Sequence, residues 1–233
     1  MSTLSGGPGI VKNGLILYLD AGNTKSYPGS GLTWSDITSN ISATLTNGPS
    51  FSTANNGSIG FDGVDDLVWI PFVLNTNSSF TIEVIAKCSN MDTNIATRET
   101  IWSFNSGTFG YQLLDLEIWG DLMKSFNGDG TNFTAAPIQL AATNINSNNW
   151  HNYLLSSNNG SWSWYLDGIN INNYTPTYTG TSSYFKLASR GSSNTGSAQS
   201  WNGKINVVKI YNRSLTAAEV LQNYNAIKSR FNY

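Results

Sequence analysis

The chain has 233 residues, of which 11% are charged and 39% hydrophobic, and it carries a formal net charge of -2. With no run of Lys or Arg and a slight negative balance it lacks the electrostatic footprint of a nucleic-acid binder, and no apolar stretch is long enough to cross a membrane as a helix. A single cysteine, Cys88, excludes an internal disulfide and a cysteine metal cluster, so packing must hold the fold.

Residues 1–13 are small and rich in Gly and Pro and read as an N-terminal arm; residues 14–233 read as one domain. The opening residues carry neither a basic segment nor an apolar run, so the expectation is synthesis in a cytoplasm without a cleaved signal peptide. Leu15, Leu17 and Leu19 begin a series of short alternating runs separated by turn clusters, the pattern of an all-β sandwich. Asp62-Gly63 punctuates one such run, and the acids that follow, Asp65 and Asp66, are candidate oxygen ligands for a hard cation such as Ca2+. The alternative for them is ordinary turn chemistry with the carboxylates facing water.

Phe80, Ile82, Val84, Ala86 and Cys88 fall on one face of an extended segment while Thr81, Glu83 and Lys87 fall on the other, which predicts a half-buried strand with Cys88 in the core. Further on, Asp115, Glu117, Trp119 and Asp121 alternate and so share one strand face. They are the candidate ligand-binding residues: Trp119 offers a ring for stacking against a sugar, and the carboxylates accept hydroxyl protons. A solvated strand face is the alternative.

Between residues 150 and 173, Asn159-Gly160 and Asp167-Gly168 each separate two strand-like runs, which predicts an antiparallel meander with two tight hairpins. Trp162, Trp164 and Leu166 share a face of that ribbon and should be main contributors to the core. Ser189–Ser200 is too polar to pack a core and reads as a surface loop; Gly203–Tyr211 reads as a strand. Thr216 and Glu219 have capping-box spacing, opening a short helix whose apolar side is Val220, Tyr224, Ile227 and Phe231. His151 is the only histidine, so no histidine pair can bind zinc, and its place at a strand start suggests structural use.

Taken in order, Gly14–Ala21, Phe61–Asp66, Phe80–Val84, Trp150-His151, Tyr165–Gly168 and Trp201–Ile205 through Thr216 resemble the laminin-G-like group of the concanavalin A-like lectin/glucanase jelly rolls. The resemblance implies an antiparallel two-sheet jelly-roll sandwich with a short C-terminal helix. Where members often carry an acidic pair after Gly-Lys-Ile, this chain has Asn206 and Val207, which removes whatever those acids support in relatives. Some members of the superfamily are glucanases, but the residue types and spacing of Asp115, Glu117 and Asp121 do not match the glucanase Glu, Asp, Glu pattern, so no catalytic residue is assigned.

The opening Leu19–Asn23 with Ser26–Gly31, and the ending Leu221–Ala226, are similar to jelly rolls carried by structural proteins of tailed bacteriophages. That resemblance implies a non-enzymatic virion component such as a capsid decoration, fibre or tail-tip protein, exposed on the virion surface. Its partners would be other virion proteins, through residues 1–13, and host surface polysaccharide, with no nucleic acid, no membrane insertion and homo-oligomerisation as an expectation. A glycan-binding adhesin is the alternative of a different class, and a polysaccharide hydrolase the third.

Overall fold

A computed structural model of the chain describes residues 8–89, 98–105, 112–120, 122–129, 131–132, 138–142, 149–190 and 199–231. In chain order its strands are β1 (Leu15–Asp20), β2 (Thr33–Ser35), β3 (Ser42–Thr46), β4 (Ser50–Ser52), β5 (Ser58–Asp62), β6 (Leu67–Ile70), β7 (Phe80–Cys88) and β8 (Arg98–Asn105). There follow β9 (Gln112–Trp119), β10 (Leu122–Ser125), β11 (Ile138–Ala142), β12 (His151–Asn158), β13 (Ser161–Leu166), β14 (Ile169–Tyr174), β15 (Tyr184–Leu187) and β16 (Asn202–Tyr211), and then the helix α1 (Ala217–Ile227).

These strands form two antiparallel sheets packed as a jelly-roll sandwich. The first is ordered β14-β13-β12-β7-β16-β5-β4, with β1 also paired to β16; the second is ordered β11-β10-β9-β8-β15-β6-β3-β2. Two-residue hairpins join β12 to β13 and β13 to β14. Both central residues of each have positive φ, 48° and 84° at Asn159-Gly160 and 51° and 80° at Asp167-Gly168, the twist that tight antiparallel hairpins require.

Between the sheets lies a core led by aromatics. Trp164 of the first sheet stacks on Trp102 of the second with ring centroids 6.0 Å apart and planes 11° from parallel, and Phe104 stacks on Phe185 at 4.2 Å. Trp162 presents its edge to Phe80 at 6.3 Å, and both are buried. Phe80, Ile82, Val84, Ala86 and Cys88 all face this core, as the alternation of the segment predicts.

The other face of β7 differs from the expectation of a half-buried strand. Thr81, Glu83 and Ile85 are also buried, because α1 and the stretch after Pro8 cover the outside of the first sheet. The segment read as an arm is docked on the domain from Gly9 onward. Gln222 Nε2 donates to the Gly9 carbonyl at 2.7 Å, the Val11 amide donates to Asn223 Oδ1 at 2.8 Å, and Arg213 Nε donates to the Asn13 carbonyl at 2.9 Å.

The capping box is present: Thr216 Oγ1 accepts from the Glu219 amide while Glu219 Oε2 accepts from the Thr216 amide. Val220, Ile227 and Phe231 of the expected apolar stripe are buried and Tyr224 is partly so, but α1 ends at Ile227 and a 3-10 turn, Lys228–Arg230, leads to Phe231. Asn223, also fully buried on this helix, donates to Glu83 Oε2 at 2.7 Å and to the Tyr211 hydroxyl at 2.9 Å. Within the expected loop at Ser189–Ser200, residues 191–198 lie outside the described residues, and its end residues Ser189 and Ser200 are buried.

Candidate functional site

Asp115, Glu117 and Trp119 alternate along β9, whose intervening Leu114, Leu116 and Ile118 fill the core, so all three side chains emerge on the outer face of the second sheet. Asp121, the fourth residue of the expected set, lies outside the described residues. The sequence did not point to what surrounds this face. Arg98, at the start of the neighbouring β8 and paired in register with Trp119, grips Glu117 with two prongs, Nε to Oε2 at 3.1 Å and Nη2 to Oε1 at 3.2 Å. From beyond β15, Arg190 Nε lies 3.2 Å from Glu117 Oε1 and 3.4 Å from Asp115 Oδ2. The indole N–H of Trp119 donates to Glu117 Oε2 at 2.7 Å.

Both carboxylates are fully buried, whereas Arg98 and Arg190 keep 24% and 12% of their side chains exposed. Burial, and then the charge of Glu117, pushes Asp115 well above the usual carboxylate range, with Arg190, the Phe126 amide and Arg98 pulling the other way. The Phe126 amide donates to Asp115 Oδ1 at 2.8 Å. The ring of Trp119 has Arg98 at 4.4 Å and Lys124 at 4.1 Å from its centroid, so cations already occupy its π surface. Chemically this is two acids held between two guanidinium groups, with Glu117 saturated by charge-assisted hydrogen bonds.

The second expected feature is the turn between β5 and β6. Asp62, Asp65 and Asp66 bring one carboxylate oxygen each to within 4.8 Å of one another. Asp62 is the member the sequence reading assigned to the turn alone. Asp62 Oδ1 accepts from the Val64 amide at 2.8 Å and Asp66 Oδ2 from the Asp62 amide at 3.1 Å, so the turn is closed by its own carboxylates. Burial raises the pKa of Asp66; the bond from the Asp62 amide opposes this, and the charges of Asp62 and Asp65 add to it. An oxygen-liganding cation such as Ca2+ suits this donor set, and these three residues would hold it.

His151 opens β12, as its Trp-His dipeptide suggests, with Nδ1 2.7 Å from Asp167 Oδ2 beside the second hairpin. Asn206 has the position of the missing acid. It sits at a bulge of β16 between Ile205 and Val207, fully buried, and its side-chain amide donates to the carbonyls of Asn55 and Gly57. Val207 is buried beneath α1 with Ile227.

Residues 62–221 match the family Laminin_G_3, described as the Concanavalin A-like lectin/glucanases superfamily, and the chain belongs to that family. The fold is similar to part of Trypanosoma rangeli sialidase in complex with sialic acid, at TM-score 0.71 and 16% identity over 96% of this chain and 35% of that one. It is also similar to the Botulinum Neurotoxin Type G receptor binding domain (TM-score 0.67, 16% identity, 91% of this chain and 51% of that one). A third likeness is to the binding domain of Botulinum Neurotoxin DC in complex with SialylT (TM-score 0.69, 13% identity, 92% and 52%). The chain thus spans about a third of the length of the sialidase and about half of the toxin domains. No curated protein sequence matches it. The lectin-like jelly roll is therefore a fold found both within a hydrolase and in receptor-binding domains.

Proposed function

We propose that the chain is a non-enzymatic, carbohydrate-binding component of a phage particle, its jelly roll displayed on the virion surface for contact with host polysaccharide. The observation that supports binding over catalysis is the engagement of both Glu117 oxygens by Arg98, Arg190 and the Trp119 indole. Two carboxyl groups that act on a glycosidic bond must each reach the sugar, one as acid and one as base or nucleophile. Here Glu117 is committed to permanent cations and fully buried. Carbohydrate binding is supported by the family, by fold neighbours solved with sialic acid and SialylT, and by a surface made polar with neutral amides and hydroxyls.

The virion role rests on the likeness of Leu19–Gly31 and Leu221–Ala226 to phage structural jelly rolls, and attachment to other virion proteins through residues 1–13 belongs to it. Because Gly9, Val11 and Asn13 are held by the domain itself, the informative deletion is residues 2–7. Unchanged incorporation of that deletion into purified particles would remove the arm from the proposal. For binding, a glycan array run with and without EDTA is the test, and an empty array under both conditions leaves only the structural role.

The raised pKa of Asp115 is the one observation favouring the hydrolase reading. Release of reducing ends from a polysaccharide panel by the wild type but not by Glu117→Gln would reverse the assignment.

A further inference from the structure

Away from the Asp115 face, a depression of about 290 Å³ lies between the loop after β1 and the turn joining β4 to β5, bounded by Tyr27, Pro28, Gly29 and Phe51. It opens into a polar recess of about 570 Å³ that contains Asp20 and Arg230; the two share Gly22, Thr24 and Asn56 and so form one continuous cleft. We propose that this cleft binds one neutral pyranose ring of a glycan chain, stacked on Phe51 and hydrogen-bonded by Thr24, Thr53 and Asn56. The inference rests on the carbohydrate-binding reading and assigns it a site.

The aromatic wall is built for contact. Phe51 is half-buried and leans on Tyr27 with ring centroids 5.3 Å apart, and Tyr27 is buried with its hydroxyl donating to the Gly31 carbonyl at 2.9 Å. Gly29, at φ 96°, faces the Phe51 ring, and a β-carbon there would sit 3.4 Å from Cε1 and cover the ring. A partly exposed ring on a rigid backing is the surface against which the axial C–H face of a sugar packs.

The opposite wall is preorganised. Asn55 and Asn56 are both left-handed, φ 54° and 60°, conformations that in non-glycine residues persist where neighbours enforce them, and Gly57 follows at φ 105°. Here the Trp150 indole donates to Asn55 Oδ1 at 3.2 Å, Asn55 Nδ2 donates to the Arg230 carbonyl at 3.1 Å, and Asn206 holds the Asn55 and Gly57 carbonyls. Gly22 passes so close that its β-carbon would lie 1.8 Å from the Asn56 carbonyl oxygen. A wall already fixed loses little entropy when a ligand settles against it.

The available polar groups are neutral. Thr24, Thr53 and Asn56 are exposed, and none of their side chains hydrogen-bonds to another described residue. Asp20 and Arg230 are closed on each other through two contacts of 2.9 Å, and Asp20 also accepts from the Tyr18 hydroxyl at 3.0 Å and the Gly22 amide at 2.9 Å. With those two charges set against each other, the Thr24 and Thr53 hydroxyls and the Asn56 amide are the unengaged neutral groups of the lining, which favours a neutral sugar over an acidic one. The 290 Å³ of the aromatic part is at the low end of small-ligand pockets, roughly 300–1,000 Å³, and suits a single ring.

The test is an amide-resolved NMR titration of the full chain with cellotetraose, maltotetraose and sialyllactose, beside the glycan array. Expected are shifts confined to Asn23–Gly29 and Phe51–Gly57 with a neutral oligosaccharide, and at least a tenfold loss of affinity in both Phe51→Ala and Asn56→Gly. The second variant keeps the left-handed backbone available, and an unchanged melting temperature separates lost contact from lost fold. Shifts centred on Trp119, or both variants binding like wild type, overturn the cleft while leaving the lectin reading intact. Preference for sialyllactose overturns the neutral assignment, and a wild type that binds neither probe nor array glycan overturns cleft and lectin reading together.

Discussion

Lys209 and Glu83 face each other in register on β16 and β7, with Nζ 2.9 Å from Oε1 and neither side chain exposed. Asn152 Nδ2 adds a bond to Oε1 at 2.8 Å and Asn223 Nδ2 one to Oε2 at 2.7 Å, so the charge pair is embedded in a polar network under α1. Removing one partner of such a pair leaves an uncompensated buried charge. Lys209→Met is expected to lower the unfolding free energy by about 3–5 kcal/mol. Adding Glu83→Gln should restore part of the loss, because the amide carries no charge and keeps an acceptor for one of the two asparagines. Urea unfolding of both single variants and the double variant measures this, and a loss under about 1 kcal/mol for Lys209→Met would mean the pair is not holding the helix.

Trp164 is fully buried and stacked on Trp102 across the sandwich, so it ties β13 of one sheet to β8 of the other. Truncation removes one of the ribbon's two buried tryptophans from between two packed layers that cannot collapse to fill the gap. Trp164→Ala should be destabilised by about 3–5 kcal/mol, with Trp164→Phe losing clearly less. Equilibrium denaturation ranks the two, and equal losses would show that the stacking partner, rather than the volume, carries the effect.

The legible parts of this molecule were those with a local code. Asn159-Gly160 and Asp167-Gly168 announced their hairpins because positive φ at two successive residues demands such pairs. The alternation from Phe80 to Cys88 gave the inward face of β7, but not its buried outer face, since Glu83 finds Lys209 126 residues away and Asn223 140 residues away. The Asp115–Trp119 face was visible as a period of two. Its locking by Arg98 and Arg190 was not, because neighbouring strands and loops bring them there and no spacing encodes it. The Tyr27–Asn56 cleft carries no pattern either: it depends on backbone conformations at Asn55 and Asn56 that residue type alone does not specify.

Glu117 is the second cause, after burial, of the raised pKa of Asp115. In Glu117→Gln that negative charge is gone while Arg98 and Arg190 remain, so Asp115 should titrate at a lower pH than in the wild type. Carbon-detected NMR of the carboxyl groups reads this directly. An unmoved or higher Asp115 titration would mean that the arginines leave with the charge they were holding. The same variant should weaken the 2.7 Å bond from the Trp119 indole, because a neutral amide oxygen replaces a carboxylate oxygen as acceptor, seen as a shift of its indole N–H resonance.

Asp66 has a raised pKa in the folded protein, from burial and from the charges of Asp62 and Asp65, against an unfolded value near 3.8. The folded state therefore holds its proton more firmly than the unfolded state. Its contribution to stability is fully present below the unfolded pKa and is lost as pH rises through the folded pKa. Asp66→Asn keeps an acceptor for the Asp62 amide and removes the charge, so the variant should melt higher than the wild type at pH 7 in EDTA. That advantage should shrink to nothing once the pH falls below about 3.8. Saturating calcium should narrow the gap at pH 7 by stabilising the wild type alone, since a cation among three carboxylates relieves the repulsion the variant no longer has. Thermal scans across pH, with EDTA and with calcium, decide both points: a pH-independent difference would contradict the linkage, and a wild type indifferent to calcium would leave the three carboxylates as a turn and nothing more.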